Sequence, residues 1–373
     1  MWFYLKKLLF AAYSLDLGGI ERALVSLVNR LQEKNYDITL VLEKKQGIFL
    51  QELNEDIKII EYLPNESKNL LIRKIINFCK RIKFFLKLNN KFDFSACFAT
   101  YSLPASFVSR ISSKNSYLWG HADYLTLFDG NVEEMNAFFK KRKYNKFKKI
   151  VFVSEEGKNS FIKCFPSMKE NTIVCNNLID NVKIEKLSNE KIDLNKENDF
   201  ITFINVSRHD EKQKKITRII EASRKLRDDG EKFRVLLVGD GKDTEKYKQI
   251  VNKYNLNKNI IFLGRKQNPY PYYKISDCVI LTSDYEGYPV VFLESFVLNI
   301  PLITTKVSDY KEIQNRFGYV TTNEIQDIYE KMKLFIKNGY KIEKKFDPQK
   351  YNDDIIDKIE KLFWGDIWQK LAL

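Results

Sequence analysis

CVILTSDYEGYPVVFLESFVLNIPLITT, residues 278–305, reads as a strand, a turn, a helix and a second strand. The runs CVILTS (278–283) and PLITT (301–305) are short, apolar and β-rich, and helical spacing fills the gap between them. Pro289 suits a first helical position, where a missing N–H would have been unpaired anyway. From that start Val290, Val291, Val297 and Leu298 lie three or four residues either side of Glu294 and share its face. Phe292, Leu293 and Phe296 make most of the remaining circumference apolar, so a buried helix is expected. A buried carboxylate without partners costs several kcal/mol. Either ligand hydroxyls meet Glu294 or a buried protein donor does.

The same alternation runs outward in both directions. Upstream stand the strand candidates 8–14, 37–43, 57–62, 95–102, 116–120, 149–154 and 172–177, then 201–207, 234–239 and 260–264. The polar stretch 181–199 interrupts them and reads as a linker. Nearly continuous apolar strands separated by helices imply parallel sheets covered on both faces. The expected fold class is α/β: two Rossmann-like, doubly wound domains, residues 1–180 and 200–350, facing across a cleft. Ligands of such sheets bind at the carboxyl ends of the strands.

With 373 residues, 44% hydrophobic and 30% charged, the chain has the composition of an ordinary folded protein. No run approaches the ~18 apolar residues of a membrane span. Lys6 and Lys7 interrupt the apolar start MWFYLKKLLFAAYS, which reads as folded structure of a cytoplasmic protein rather than a signal peptide. The five cysteines are scattered, without C-x-x-C, and offer neither a disulfide framework nor a zinc site. The net charge of +14 calls for a polyanionic partner. Residues 71–92 hold seven Lys/Arg and no acid among Ile, Phe and Leu, and residues 140–149 add seven more. The first segment has a helical period and a basic face. It reads as a site for an anionic membrane surface or as a solvated helix face over a core. No zinc-finger or RNP-type pattern supports nucleic acid.

Candidate chemistry follows the strands. Gly18 and Gly19 form a turn into a helix, where backbone could approach an anion. Past strand 201–207 come Arg208, Lys212, Lys214 and Lys215, cations able to clamp a diphosphate. Gly239, in GDG, and the pair Gly264 and Arg265 close two further strands, where backbone could edge a nucleotide base. After strand 278–283 come Glu286, Gly287, Tyr288, Pro289 and Val290. Glu286 and Glu294 have the spacing Glu-x7-Glu, and helix-start N–H groups between them could hold a phosphate.

In this order, GGIERALVSLVNRL, R-x5-K, VGDG, FLG and S-x-x-EGYPVVFLES resemble a GT-B glycosyltransferase of family GT4. The resemblance covers almost the whole chain and is strongest from Phe203 to Asp309. It implies a retaining, metal-independent enzyme without cofactor that uses a nucleotide-sugar donor, a UDP-sugar favoured. By position, Glu294 is similar to the ribose-binding glutamate and Glu286 to the one that meets the donor sugar. Arg208 and Lys214 resemble the diphosphate pair, with Lys214 one residue beyond the commonest spacing, so Lys212 and Lys215 stay open as alternatives. Gly19 is similar to the glycine whose backbone nears the phosphates, and His121, in WGHADY, resembles the active-site histidine. Residues 351–371 resemble the closing helix that crosses back onto the first domain.

The resemblance further implies capsule, exopolysaccharide or lipopolysaccharide assembly with a saccharide or lipid-linked acceptor. The expected location is the inner face of the cell membrane, reached through residues 71–92 and 140–149. Another GT-B activity, such as a nucleotide-sugar epimerase or a phosphorylase, is the enzymatic alternative. A catalytically inactive basic scaffold is the other. No D-x-D occurs to anchor Mg²⁺.

Overall fold

The computed structural model describes residues 6–16, 18–196 and 199–364. Two compact units emerge, one holding residues up to Leu178 together with those from Tyr351 onward, the other Ile179–Lys350. The first contains a parallel sheet of β1 (Lys7–Ala12), β2 (Asp37–Leu42), β3 (Lys58–Glu61), β4 (Phe94–Cys97), β5 (Ser116–Gly120), β6 (Lys149–Phe152) and β7 (Thr172–Val174). Their spatial order is β3-β2-β1-β4-β5-β6-β7. The second contains β8 (Ile201–Val206), β9 (Phe233–Val238), β10 (Ile260–Gly264), β11 (Cys278–Leu281), β12 (Leu302–Thr305) and β13 (Gly318–Thr321). These run β10-β9-β8-β11-β12-β13, every neighbouring pair parallel. Both are the doubly wound sheets expected.

Burial explains the strands. All of β9, FRVLLV, is enclosed, and its Phe233, Val235 and Leu237 join Ile216, Ile219, Ile220 and Leu226 of the helix that follows β8 in one core. Aromatic rings fill the first unit, where Phe139, Phe161 and Phe165 pack edge to face or stacked within 6 Å. Helix Pro348–Trp364 lays Phe363 against Phe94 and Tyr36 of this unit, at 4.5 and 5.5 Å between ring centroids. Its Glu360 accepts from the Tyr36 hydroxyl and pairs with Lys34 at 2.9 Å. The remainder of the expected closing helix, 365–371, lies outside the described residues, as do residues 1–5 of the apolar start.

Several local expectations change. Within the polar stretch 181–199, residues Asn181–Leu187 form a helix capped by the Asp180 side chain. The edge strand β13 was not anticipated, because four residues opening on glycine show no period. Pro289, in extended backbone, caps helix Val290–Val297 instead of opening it. The strands β4 and β11 end at Cys97 and Leu281, which frees residues 98–102 and 282–289 to line the carboxyl edges of their sheets.

The GDG turn has a mechanical role. Gly239 holds φ at +143°, and a Cβ there would meet the Ser207 carbonyl oxygen at 1.9 Å. Gly264 holds φ at +67° beside open space. Gly239→Ala should therefore lose about 3 kcal/mol or more from strain and collision. Gly264→Ala should lose about 1–2 kcal/mol, from conformation alone. Urea unfolding of the two variants measures the contrast, and equal losses would refute the packing assigned to Gly239.

Candidate functional site

β8 and β11 are neighbours at the point where strand order reverses, so the segments leaving them meet. The Asp284 N–H donates to the Gln213 carbonyl at 2.9 Å. The Thr282 hydroxyl lies 3.2 and 3.1 Å from the carbonyls of Lys214 and Lys215. This stitching brings Glu286, 8% exposed, onto the Lys214 ammonium. The Ser283 hydroxyl donates to the same carboxylate oxygen at 2.6 Å, and Gln213 reaches the other at 3.4 Å. Low dielectric makes an unpaired carboxylate costly here, and these three donors meet that cost.

The neighbouring cations sort themselves by partner. Lys215, in left-handed backbone at the start of helix Ile216–Asp228, pairs with Asp284 at 3.2 Å, and Arg218 joins the same carboxylate at 2.7 Å. Lys214 is the lysine on Glu286. Lys212 is exposed. Arg208 has 67% of its side chain exposed, with one Nη 3.3 Å from Gln213 and 3.7 Å from Asp210. Its guanidinium stands at the strand end with most of its surface open.

Glu294 is 4% exposed. Its own helix buries Phe292, Leu293, Ser295 and Phe296 around it, whereas Val290, Val291, Val297 and Leu298 are half-buried. The face that carries Glu294 is thus the less enclosed one, and the helix is not buried all round. Two phenols meet the carboxylate: Tyr270 donates to Oε1 at 3.2 Å and Tyr273 to Oε2 at 2.8 Å. Protein donors therefore reach both oxygens of Glu294.

Backbone fixes the rest of this edge. Gly239 and Gly241 lie against the carbonyls of Ser207 and His209, and the Gly239 N–H donates to Gly264. Arg265 is exposed and its charge bears on Asp240. The Gly287 carbonyl accepts from Ser308 at 2.6 Å, and buried Tyr288 points its hydroxyl at Glu312, 3.4 Å away. Sequence reasoning missed Gln213, Tyr270, Tyr273 and Ser308, which no motif marks because each acts from another segment. Ser283 stands in the S-x-x-E motif, yet its bond to Glu286 was not read from it.

Gly18, Gly19 and His121 belong to the other unit. Gly18 caps helix Gly19–Glu33 in extended backbone that any residue adopts, and a Cβ would meet only the side-chain end of Glu21. His121 follows β5, its ring 4.5 Å from Phe98. Its Nε2 is shut from solvent and accepts or donates no hydrogen bond. Burial pushes the imidazole pKa down to about 3, opposed by a hydrogen bond with the Phe98 backbone. His121 is a neutral imidazole near pH 7.

Residues 187–353 match the family model of the glycosyl transferases group 1. An uncharacterized glycosyltransferase of Methanocaldococcus jannaschii is 31% identical over 159 residues, 42% of this chain and 39% of that protein. The chain thus spans about two fifths of that relative. The amylovoran biosynthesis glycosyltransferase AmsD of Erwinia amylovora is 24% identical over 319 residues, 84% of each chain. Among solved structures, Anabaena HepE in complex with UDP superposes with a TM-score of 0.73 at 17% identity, covering 95% of this chain and 100% of that one. The fold is that of the GT-B glycosyltransferases, as the sequence resemblance implied.

The state of His121 has a measurable consequence. Its folded pKa of about 3 lies below the ordinary 6.5, so the unfolded chain takes up the proton first as pH falls. Stability should therefore decline progressively from pH 6.5 downward. His121→Gln should flatten that decline in urea unfolding. The histidine resonances should show His121 unprotonated from about pH 8 to about pH 5, and titration near the ordinary histidine value would contradict its enclosure.

Proposed function

We propose that this chain is a retaining, metal-independent glycosyltransferase of the GT4 type. It moves a sugar from a nucleotide-sugar, a UDP-sugar favoured, to a lipid-linked saccharide in surface-polysaccharide assembly. The observation that carries this reading is the meeting of the segments leaving the neighbouring strands β8 and β11, which sets Lys214 on Glu286 and Gln213 between Glu286 and Arg208. Glu294 meets the ribose and Glu286 the sugar hydroxyls, while Gly287–Val290 line the phosphate approach at the helix start. Cleavage of the anomeric C–O bond throws negative charge onto the departing diphosphate. Arg208 and Lys214, fixed cations, stabilise that charge in place of a metal. The acceptor hydroxyl attacks from the same face, and a donor phosphate oxygen takes its proton. Names such as amylovoran biosynthesis and capsular polysaccharide biosynthesis among the relatives support the polysaccharide setting.

The same reading places the protein on the cytoplasmic face of the membrane, and helix Leu70–Leu88 supports it. No helix among the described residues is long and apolar enough to cross a membrane. This one instead turns its apolar stripe outward. Leu71, Ile75, Phe78, Ile82, Phe85 and Leu86 are 44–71% exposed, while Phe84 and Leu88 face the core. Arg73, Lys74, Lys83 and Lys87 stand exposed around the stripe. Pairing with a second copy would set these cations against one another without an acid on either helix. An anionic bilayer accepts both the apolar residues and the charge. In residues 140–149, by contrast, Arg142 is buried and donates to the carbonyls of Phe138 and Tyr101, so this cation is structural.

Two measurements follow. Transfer from a UDP-sugar to membrane-extract acceptor should persist in excess EDTA, and Glu286→Gln should lower turnover about 10²–10³-fold while UDP still binds in calorimetry. Complete loss on chelation, restored by Mg²⁺ or Mn²⁺, would contradict the mechanism. For the helix, Ile75→Ser, Phe78→Ser and Ile82→Ser together should remove the salt-resistant part of sedimentation with anionic vesicles. Charge reversal of Arg73, Lys74, Lys80 and Arg81 should remove the salt-sensitive part, at about 1 kcal/mol per cation. Unchanged sedimentation in both variants would return this face to solvent.

A further inference from the structure

Two tyrosines of one short helix, Tyr270–Lys274, serve a single buried carboxylate on another. Tyr270 donates to Glu294 Oε1 and Tyr273 to Oε2, one phenol per oxygen. An ionised carboxylate offers about two lone-pair sites on each oxygen. One site per oxygen is therefore taken, and one per oxygen remains. The phenols also fix the carboxylate plane, because each ring is fully enclosed in the core. Their helix is pinned in turn: Asn268, just before it, donates to the Leu187 carbonyl at 2.9 Å and to Glu190 at 2.8 Å, and accepts from the Tyr270 N–H at 3.1 Å. Glu294 itself lies on the less enclosed side of its helix, among half-buried Val290, Val291, Val297 and Leu298.

We infer that Tyr270 and Tyr273 are positioning residues for the nucleoside, holding Glu294 so that its two remaining lone pairs meet a vicinal diol. This rests on the reading of Glu294 as the ribose contact. It assigns the discrimination between a ribonucleotide and its deoxy analogue to a triad of two phenols and one carboxylate. Tyr273, with the shorter bond, carries the larger share. A structural glutamate would need the same two donors, but its loss would not distinguish ligands with and without the diol.

The test is a set of calorimetric titrations with UDP and with 2′,3′-dideoxyuridine diphosphate, on wild type, Tyr270→Phe, Tyr273→Phe and Glu294→Gln. Removing one hydroxyl keeps each ring in the core, and circular dichroism with urea unfolding checks every variant. Wild type should prefer UDP by about tenfold or more, since hydrogen bonds to a charged acceptor are at stake. Tyr273→Phe should lower UDP affinity about fivefold and leave the dideoxy nucleotide unchanged, with Tyr270→Phe acting in the same direction but more weakly. Glu294→Gln should bind the two nucleotides nearly alike. Weakening of both nucleotides equally in the tyrosine variants would overturn the inference and make the phenols structural. Should Glu294→Gln lose the preference while both tyrosine variants keep it, the inference fails and the ribose reading stands. Absence of any preference in wild type would sink both.

Discussion

Two carboxylates enclosed in a low-dielectric environment, Glu286 and Glu294, impose the constraint on which the second unit depends. Neither can remain there without donors, and neither finds them in its own segment alone. Glu286 draws a lysine and a glutamine from the segment after β8, with only Ser283 nearby in sequence. Glu294 draws two phenols from the helix before β11. Parallel strand order brings these donors within reach, because β8 and β11 are neighbours and β11 leads directly into the Glu-x7-Glu segment. Hydrophobic burial builds the sheet; carboxylate satisfaction sets the loops at its edge.

Backbone packing supports the same arrangement. Gly239 and Gly241 let the turn after β9 lie on the carbonyls of Ser207 and His209, which sets the path of the chain on either side of Arg208. Beneath the β11 loop, Thr305 donates to the Ser283 carbonyl and Ser308 to that of Gly287, both at 2.6 Å. A site built from short polar ties between consecutive strand ends needs little movement to present its charges. Under the proposed reading, this is the preorganisation that electrostatic stabilisation of a leaving diphosphate requires.

Much of this was legible in the sequence, and the reasons are physical. Short apolar strands announce a parallel sheet because they are buried on both faces, and twelve of the thirteen strands could be read this way. The exception, β13, is a four-residue edge strand whose Gly318 packs on the Leu302 carbonyl. Spacing placed Glu286 and Glu294 in a loop and a helix. It could not show Tyr270 and Tyr273, which act across the packing of two helices. Nor could it say which face of residues 71–88 points outward: the helical period is the same either way, and only the position of Phe84 and Leu88 against the core decides it. Among Lys212, Lys214 and Lys215, one residue of spacing left three candidates, and the partners Glu286 and Asp284 separate two of them.

The central claim is that the segments leaving β8 and β11 hold a nucleoside diphosphate. A crystal structure of this chain with UDP tests it most directly. The account predicts the ribose hydroxyls on the two oxygens of Glu294, with both phenols retained, and the diphosphate between Arg208, Lys214 and the start of helix Val290–Val297. UDP bound elsewhere, or ribose turned away from Glu294 with the tyrosine bonds intact, would contradict it.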